Sequence, residues 1–127
     1  MATWDDVRRL ALGMPEATEV DSRGRAQWRV KDKLFVWERP LRRSDLAALG
    51  DAAPDGPILA VRVEDLGEKE AVLAAHPNAF FTIPHFDGYA AVLIQLKKAT
   101  KRPVREALTD GWLACAPPRL VEQFLET

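Results

Sequence analysis

Cysteine is nearly absent from this sequence, and long apolar runs are absent altogether. Cys115 is the only cysteine among 127 residues, which excludes an intrachain disulfide. No apolar stretch approaches the length needed to span a bilayer. The N-terminus carries Asp5 and Asp6 where a secretory signal peptide would carry basic residues. The sequence therefore predicts a cytoplasmic protein with no membrane partner.

The usual catalytic motifs are also missing. The sequence has no phosphate-binding loop, no Gly-x-Ser-x-Gly elbow and no dinucleotide-binding fingerprint. Ser22 and Ser44 occupy predicted turn or cap positions, where serine serves the backbone. Cys115 lies in the apolar end of a predicted helix, where a small buried hydrophobe is the expected role. We therefore expect no enzymatic activity, no catalytic residue and no cofactor.

A strong excess of either charge is lacking as well. The net charge is −1 and the isoelectric point is about 6.1, so the whole protein has no overall attraction to nucleic acid or to acidic membranes. The charges are nevertheless segregated along the chain. Residues 23–43 are mostly basic, residues 44–96 are acidic with only Arg62 and Lys69 as cations apart from histidine, and residues 97–105 are basic again. This pattern allows local basic surfaces.

What is present is an ordinary globular composition, with 47% hydrophobic and 29% charged residues. That is enough for one hydrophobic core. Periodicity and turn signals predict an initial helix after Thr3, then three consecutive strands, then further helices and strands. The predicted strands are residues 16–21, 25–30, 34–38, 58–63, 80–83 and 89–96, and the later helices are residues 44–49, 68–75, 103–115 and 117–125.

Short turns between neighbouring strands predict a mostly antiparallel sheet with helices packed on one face. The fold class is therefore α+β, in a single domain that spans residues 1–127. The expected core residues are the large apolar side chains on the inner strand and helix faces: Trp28, Phe35 or Trp37, Val92, Ile94 and Trp112.

A basic hairpin is the first candidate functional surface. In residues 25–30 the apolar side chains alternate with polar ones, which places Arg25, Gln27 and Arg29 on the solvent face. Arg23, Lys31 and Lys33 lie at the adjoining turns. Such a ribbon is suited to a DNA groove because guanidinium groups bind phosphates bidentately. Charged residues on an exposed strand face also serve solubility alone.

A second basic cluster is a further candidate contact for nucleic acid. It follows the last predicted strand and precedes the long C-terminal helix, and its members are Lys97, Lys98, Lys101 and Arg102.

The segment His85-Phe86-Asp87-Gly88-Tyr89 is the second candidate site. A histidine and a carboxylate at alternate positions are able to share a proton or a metal. Pro-x-x-Asp-Gly is also turn chemistry, and a metal needs more ligands than these two, so we expect no metal site. If the last helices pack on this hairpin, Trp112 joins His85, Asp87 and Tyr89 in a shallow pocket for a small anionic or aromatic ligand.

A third hypothesis uses the acidic residues of the first helix and strand. Frataxin-like proteins carry an acidic iron-binding ridge in this region. The same carboxylates also serve as charges at a helix N-terminus and hold iron weakly when scattered. The residues concerned are Asp5, Asp6, Glu16, Glu19 and Asp21.

Several segments, in chain order, resemble the MmcQ/YjbR family. Residues 12–19 resemble the turn that ends the family's first helix, and residues 27–35 resemble its first hairpin. Residues 82–96 are similar to its second hairpin, and residues 112–120 resemble its closing Trp-x-x-x-Ala-Pro-x-x-Leu segment. The resemblance covers nearly the whole chain. It departs at residues 40–57, which replace a lysine-rich segment, and at the His-Phe-Asp-Gly of the second hairpin.

This resemblance implies a two-layer YjbR/CyaY-like α+β sandwich. It also implies a partner, double-stranded DNA, bound through a double-wing arrangement of hairpins. The family motif defines no catalytic residue, so none carries over to this chain. The alternative is a non-enzymatic domain that binds a small molecule or another protein. We expect a monomer or a weak dimer.

Overall fold

The first helix, α1 (Trp4–Leu12), begins where the sequence places a capping residue. The computed structural model describes residues 1–126. In it, the Thr3 hydroxyl accepts a hydrogen bond from the Asp6 amide at 3.2 Å, and the Asp6 carboxylate accepts one from the Thr3 amide at 3.0 Å. These bonds satisfy N–H groups that have no partner inside a helix. The predicted Thr3 cap is confirmed.

Three strands then form a meander of β1 (Ala17–Ser22), β2 (Arg25–Val30) and β3 (Lys33–Glu38). The turn between β1 and β2 has positive φ at both central residues, 53° at Arg23 and 83° at Gly24. The turn between β2 and β3 repeats this at Lys31 and Asp32, with 48° and 67°. Such turns match the twist of paired strands. Both predicted tight turns are confirmed.

The remaining elements complete a single antiparallel sheet in the order β1-β2-β3-β4-β6-β5. The predicted α+β class is therefore confirmed. Within residues 1–126 no helix is long and apolar enough to cross a membrane. The later elements are α2 (Arg43–Leu49), β4 (Ile58–Arg62), α3 (Leu66–Ala75), β5 (Phe80–Phe81), β6 (Ala91–Gln95), α4 (Lys101–Cys115) and α5 (Pro118–Glu126), with 3-10 turns at Gly50–Ala52 and Pro84–Phe86.

The last hairpin differs from the prediction. Its first strand is only Phe80–Phe81, and the expected strand residues up to 83 lead instead into the 3-10 turn. The physical reason is burial, since Ile83 and Phe86 are 1% and 4% exposed and pack into a core of their own. A regular hairpin would have kept these residues at the edge of the sheet.

Both faces of the sheet are apolar. Along β6, Val92 and Ile94 join the core beneath α1, α3, α4 and α5, while Ala91 and Leu93 join a second core. Alternate side chains on a strand point to opposite faces, so these cores lie on opposite sides of the sheet. Leu41 and Leu49 cover part of the second core. Most helices therefore pack on one face, as predicted, and the short α2 lies on the other.

A β-bulge in β3 decides which aromatic residue faces which core. Trp28 pairs with Val36 but Arg29 pairs with Leu34, so Phe35 is the extra residue. Phe35 and Val36 both join the helix-side core, and Trp37 joins the second core. The sequence predicted that either Phe35 or Trp37 is a core residue. Both are buried, but on opposite faces of the sheet.

Gly111 sets the distance between α4 and the sheet. A Cβ atom at this position would lie 2.9 Å from Val61 Cγ1, 3.0 Å from the Arg62 carbonyl oxygen and 3.2 Å from the Phe35 carbonyl oxygen. The two carbonyl groups are fixed by the sheet. We expect Gly111→Ala to lower the free energy of unfolding by about 1–3 kcal/mol, as overpacking does, measured by urea denaturation.

A matched control is Gly67→Ala in α3, where the added Cβ meets only the Asp65 carboxylate at 3.4 Å. That variant should be neutral or gain up to about 1 kcal/mol from helix propensity. Equal stability of the two variants would contradict the close packing at Gly111.

Candidate functional site

An open groove of about 620 Å³ lies on the second face of the sheet, on the side away from α4. Arg25, Gln27 and Trp37 form part of its lining from β2 and β3. The turn residues Ser22 and Arg23, the segment 38–42 at the end of β3 and after it, and three residues of the segment 84–89 contribute the rest. Its arginines are Arg23, Arg25, Arg39 and Arg42, and we call it the arginine groove.

The alternation along β2 explains how two of these side chains reach the groove. Trp28 and Val30 are buried in the helix-side core, so the residues between them point to the other face. Arg25 and Gln27 line the groove there. Arg29 lies on the same face but donates to the Gln27 side-chain oxygen and to the Asp32 carbonyl oxygen, each at 2.9 Å.

Arg39 and Asp45 form a buried ion pair at the wall of the groove. Arg39 Nη1 lies 3.0 Å from Asp45 Oδ2 and donates to the Pro40 carbonyl oxygen at 2.6 Å. Their side chains are only 7% and 3% exposed. Burial opposes ionisation of Asp45, but hydrogen bonds from the Arg42 amide and from Arg39 outweigh it, so the pKa of Asp45 is lowered.

The second terminal nitrogen of Arg39 is buried without an acceptor. Among residues 1–126, Nη2 has no hydrogen-bond partner. Leaving such a buried donor unsatisfied costs about 1–3 kcal/mol. The wall of the groove therefore holds an unused donor on a side chain that its neighbours fix in place.

The other wall is aromatic. The rings of Phe86 and Tyr89 meet edge to face with centroids 5.3 Å apart, and Trp37 lies 6.3 Å from Phe86. The Arg39 guanidinium carbon lies 5.6 Å from the Phe86 ring centroid, within the range of a cation–π interaction.

Lys69 and Arg62 hold the segment that carries this wall. Lys69 Nζ donates to the carbonyl oxygens of Phe86 and Tyr89 at 2.6 and 2.9 Å, and Arg62 Nε donates to that of Ala90 at 3.1 Å. Burial lowers the pKa of Lys69. The sequence contained a signal for both, since they are the only lysine and arginine within the acidic residues 44–96.

The other predicted basic residues lie outside the groove. Lys31 pairs with Glu16 at 2.6 Å, and Lys33 is exposed at the start of β3. In the second cluster, Lys97 pairs with Asp55, Lys101 with Asp6 and Arg102 with Glu106, at 3.5, 3.6 and 3.2 Å. Lys98 is exposed. The structure does not join these residues to Arg25 and Gln27.

The predicted pocket is divided by the sheet. His85 and Tyr89 line the arginine groove, and Asp87 is exposed nearby. Trp112 does not join them: it is fully buried in the helix-side core, and its Nε1 donates to the Pro15 carbonyl oxygen at 3.0 Å. The expectation was wrong because α4 packs on the face of β3 and β4 opposite the segment 84–89. Trp37 is the tryptophan of the groove.

Three of the five carboxylates considered for iron binding, Asp6, Glu16 and Glu19, serve other contacts. Asp6 caps α1, and Glu19 accepts from Arg8 Nε and Trp28 Nε1, each at 2.9 Å. In the part of the chain that the structure describes, no three histidine, cysteine, aspartate or glutamate side chains are placed to hold a metal ion. Cys115 is buried as expected, and burial raises the pKa of its thiol.

Comparison with known proteins gives concordant matches. A family model described as YjbR matches residues 12–114. Uncharacterized protein Rv2570 of Mycobacterium tuberculosis (strain ATCC 25618 / H37Rv) is 48% identical over 98% of this chain and 97% of its own length. Uncharacterized protein Mb2600 of Mycobacterium bovis has the same identity and coverage.

A solved structure is also similar. The crystal structure of Deinococcus radiodurans protein DR2400, with the family-model domain DUF419, superimposes with a TM-score of 0.65. The match covers 89% of this chain and 78% of that chain at 19% sequence identity. At that identity the likeness concerns the fold alone.

Proposed function

The chain belongs to the YjbR family, and we propose that it binds double-stranded DNA through the arginine groove and its rim. The observation that carries this proposal is the set of Arg23, Arg25 and Arg42. They come from two separate segments, are exposed beside one groove, and form no ion pair within residues 1–126. Three free guanidinium groups on one surface match a row of phosphates.

The proposed binding is local rather than global. Because the net charge is −1, long-range attraction does not assist it, and affinity depends on the few phosphates that the groove neutralises. The second basic cluster at residues 97–102 is a subsidiary contact in this proposal, since three of its four cations already have carboxylate partners.

Fluorescence anisotropy with a labelled duplex tests the proposal. We expect binding at about 50 mM salt that weakens strongly by about 200 mM, because neutralised phosphates release counterions. The double variant Arg25→Ala with Arg42→Ala should bind more weakly and lower the salt slope by about two, or about one for each lost phosphate contact.

Arg119→Ala is the matched control, since Arg119 is an exposed arginine on α5, outside the groove. It should bind duplex DNA as the unmodified protein does. Absence of binding at low salt, or equal losses in the control and the double variant, would remove the arginine groove as a DNA surface.

A second candidate function is non-enzymatic binding of a small ligand in the same groove. Its volume of about 620 Å³ lies within the range of ligand sites, which is roughly 300–1,000 Å³. Aromatic and charged groups converge there from Trp37, Arg39, His85 and Tyr89. This is the predicted pocket at His85, with Trp37 in the place of Trp112.

A further inference from the structure

We propose that the arginine groove contains a site for one phosphate group, centred on Arg39, and that its ligand is a small phosphomonoester. The inference rests on the second proposed function, ligand binding in the groove, and names the class of ligand. It does not require that DNA binds.

The first argument is the fixed position of Arg39. The side chain is buried and held through Nη1 by Asp45 and by the Pro40 carbonyl oxygen, so the guanidinium plane is set before any ligand arrives. Nη2 remains without an acceptor among the described residues. A pre-positioned donor loses little conformational freedom on binding. Nη2 is buried, so an oxyanion supplies the missing acceptor once neighbouring side chains of the groove wall move aside to admit it.

The second argument is charge. Asp45 neutralises Arg39, so a bound dianion draws its opposite charges from Arg25 and Arg42, which line the same groove. Glu38 is the one acidic residue of the lining, and its carboxylate accepts a hydrogen bond from the Ala26 amide. The lining therefore has a net positive charge, while the protein as a whole does not.

Geometry favours a phosphomonoester over the other phosphate source, a DNA backbone. Arg39 is 6% exposed, and a phosphodiester within a duplex is flanked by a sugar on each side, so it cannot reach a buried side chain as the end of a small molecule can. A phosphomonoester presents three free oxygens and up to two charges at its end, which suits donors on several sides. A carboxylate offers two oxygens in one plane and fits a single guanidinium group.

Isothermal titration calorimetry on the full chain tests the site. The probes are inorganic phosphate, adenosine 5′-monophosphate and, as the neutral counterpart, adenosine, all at constant ionic strength. We expect inorganic phosphate and adenosine 5′-monophosphate each to bind saturably at one site per chain, and adenosine not to bind. Unlabelled duplex DNA in a parallel titration separates a backbone phosphate from a free one.

Arg39→Lys is the decisive variant, since lysine keeps a positive charge beside Asp45 but lacks the second nitrogen. Phosphate affinity should fall by at least about tenfold, which corresponds to the loss of one charged hydrogen bond. Circular dichroism shows whether the variant folds. If it does not fold, Arg42→Ala decides, with the same expected loss and with Arg119→Ala unchanged.

The results distinguish a wrong ligand class from a wrong function. Unchanged phosphate affinity in folded Arg39→Lys, or in Arg42→Ala, overturns the site. If neither phosphate binds, but a thermal-shift screen with other metabolites gives hits that His85→Ala abolishes, the phosphomonoester is wrong and ligand binding in the groove stands. If no probe and no metabolite binds, both are overturned.

Discussion

Asp45→Ala is expected to lower the free energy of unfolding by about 3–5 kcal/mol, the usual cost of removing one partner of a buried ion pair. The variant leaves Arg39 with a charge that is 7% exposed and has lost its carboxylate. It also removes the acceptor of the Arg42 amide, whose hydrogen bond to Asp45 is 2.8 Å long. Urea denaturation followed by circular dichroism measures the loss.

The pH dependence provides a second signature of Asp45. Its pKa in the folded protein is lowered from the ordinary value of 3.8, so the folded state binds this proton less readily than the unfolded state. The resulting stabilisation is fully present above about pH 3.8 and is lost as the pH falls through the lowered pKa. Asp45→Ala lacks this contribution, so its stability should fall less steeply in acid.

Asp55→Ala is the matched control, because Asp55 also pairs with a cation, Lys97, but is 93% exposed. Its effect should stay within about 0.5 kcal/mol, as for an exposed ion pair. A loss below about 1 kcal/mol in Asp45→Ala would show that the buried pair contributes no more than a surface pair.

The same pair links stability to the groove. Asp45 lies in the first turn of α2, and through Arg39 and Arg42 it fixes the segment that forms one wall. Lys69 fixes the opposite wall through two carbonyl oxygens. Both walls of an open, solvent-facing groove are therefore anchored by buried charged groups. This arrangement holds the lining side chains in place and reduces what a ligand would lose in entropy.

Local patterns in the sequence were sufficient to predict the strands and turns of the first hairpins. The alternation in β2 predicted that Trp28 lies on one face of the sheet and that Arg25 and Gln27 lie on the other. A pattern with a period of two can be recognised without tertiary information. Thr3 before α1 and the short turns between the first strands were predicted in the same way. Each of these features depends on residues within a few positions of one another.

The complete lining of the groove could not be predicted because its parts are distant in sequence. The bulge at Phe35, which moves Trp37 to the second face, adds one residue that periodicity does not show. The ion pair of Arg39 with Asp45 crosses from a strand end to a helix. In residues 40–57 the sequence predicted one short helix and a departure from the family pattern, but it gave no sign that residues 40–42 form part of the lining.

The error at Trp112 has a different cause. Helical periodicity predicts that Trp112 is buried, but it does not say which face of a sheet the helix covers. Gly111 beside it leaves no room for a Cβ atom against Val61 and the backbone of β3 and β4. Close packing of α4 against those strands places Trp112 on the helix side and leaves the groove to Trp37.

Trp112→Ala should therefore cost stability and spare ligand binding in the folded fraction. The side chain is 0% exposed, packs against Phe124 with ring centroids 5.1 Å apart, and donates to the Pro15 carbonyl oxygen. We expect a loss of about 3–5 kcal/mol, as for other large aromatic residues in cores. Trp112→Phe should lose less, since it keeps much of the volume and gives up chiefly the hydrogen bond.

His85→Ala, at an exposed position on the other face, should change stability by no more than about 0.5 kcal/mol. Urea denaturation of the three variants, followed by circular dichroism so that the lost indole does not alter the signal, gives the comparison. If Trp112→Ala folds as stably as the unmodified chain and yet abolishes binding in the groove, then Trp112 belongs to the site and the assignment to the helix-side core is wrong.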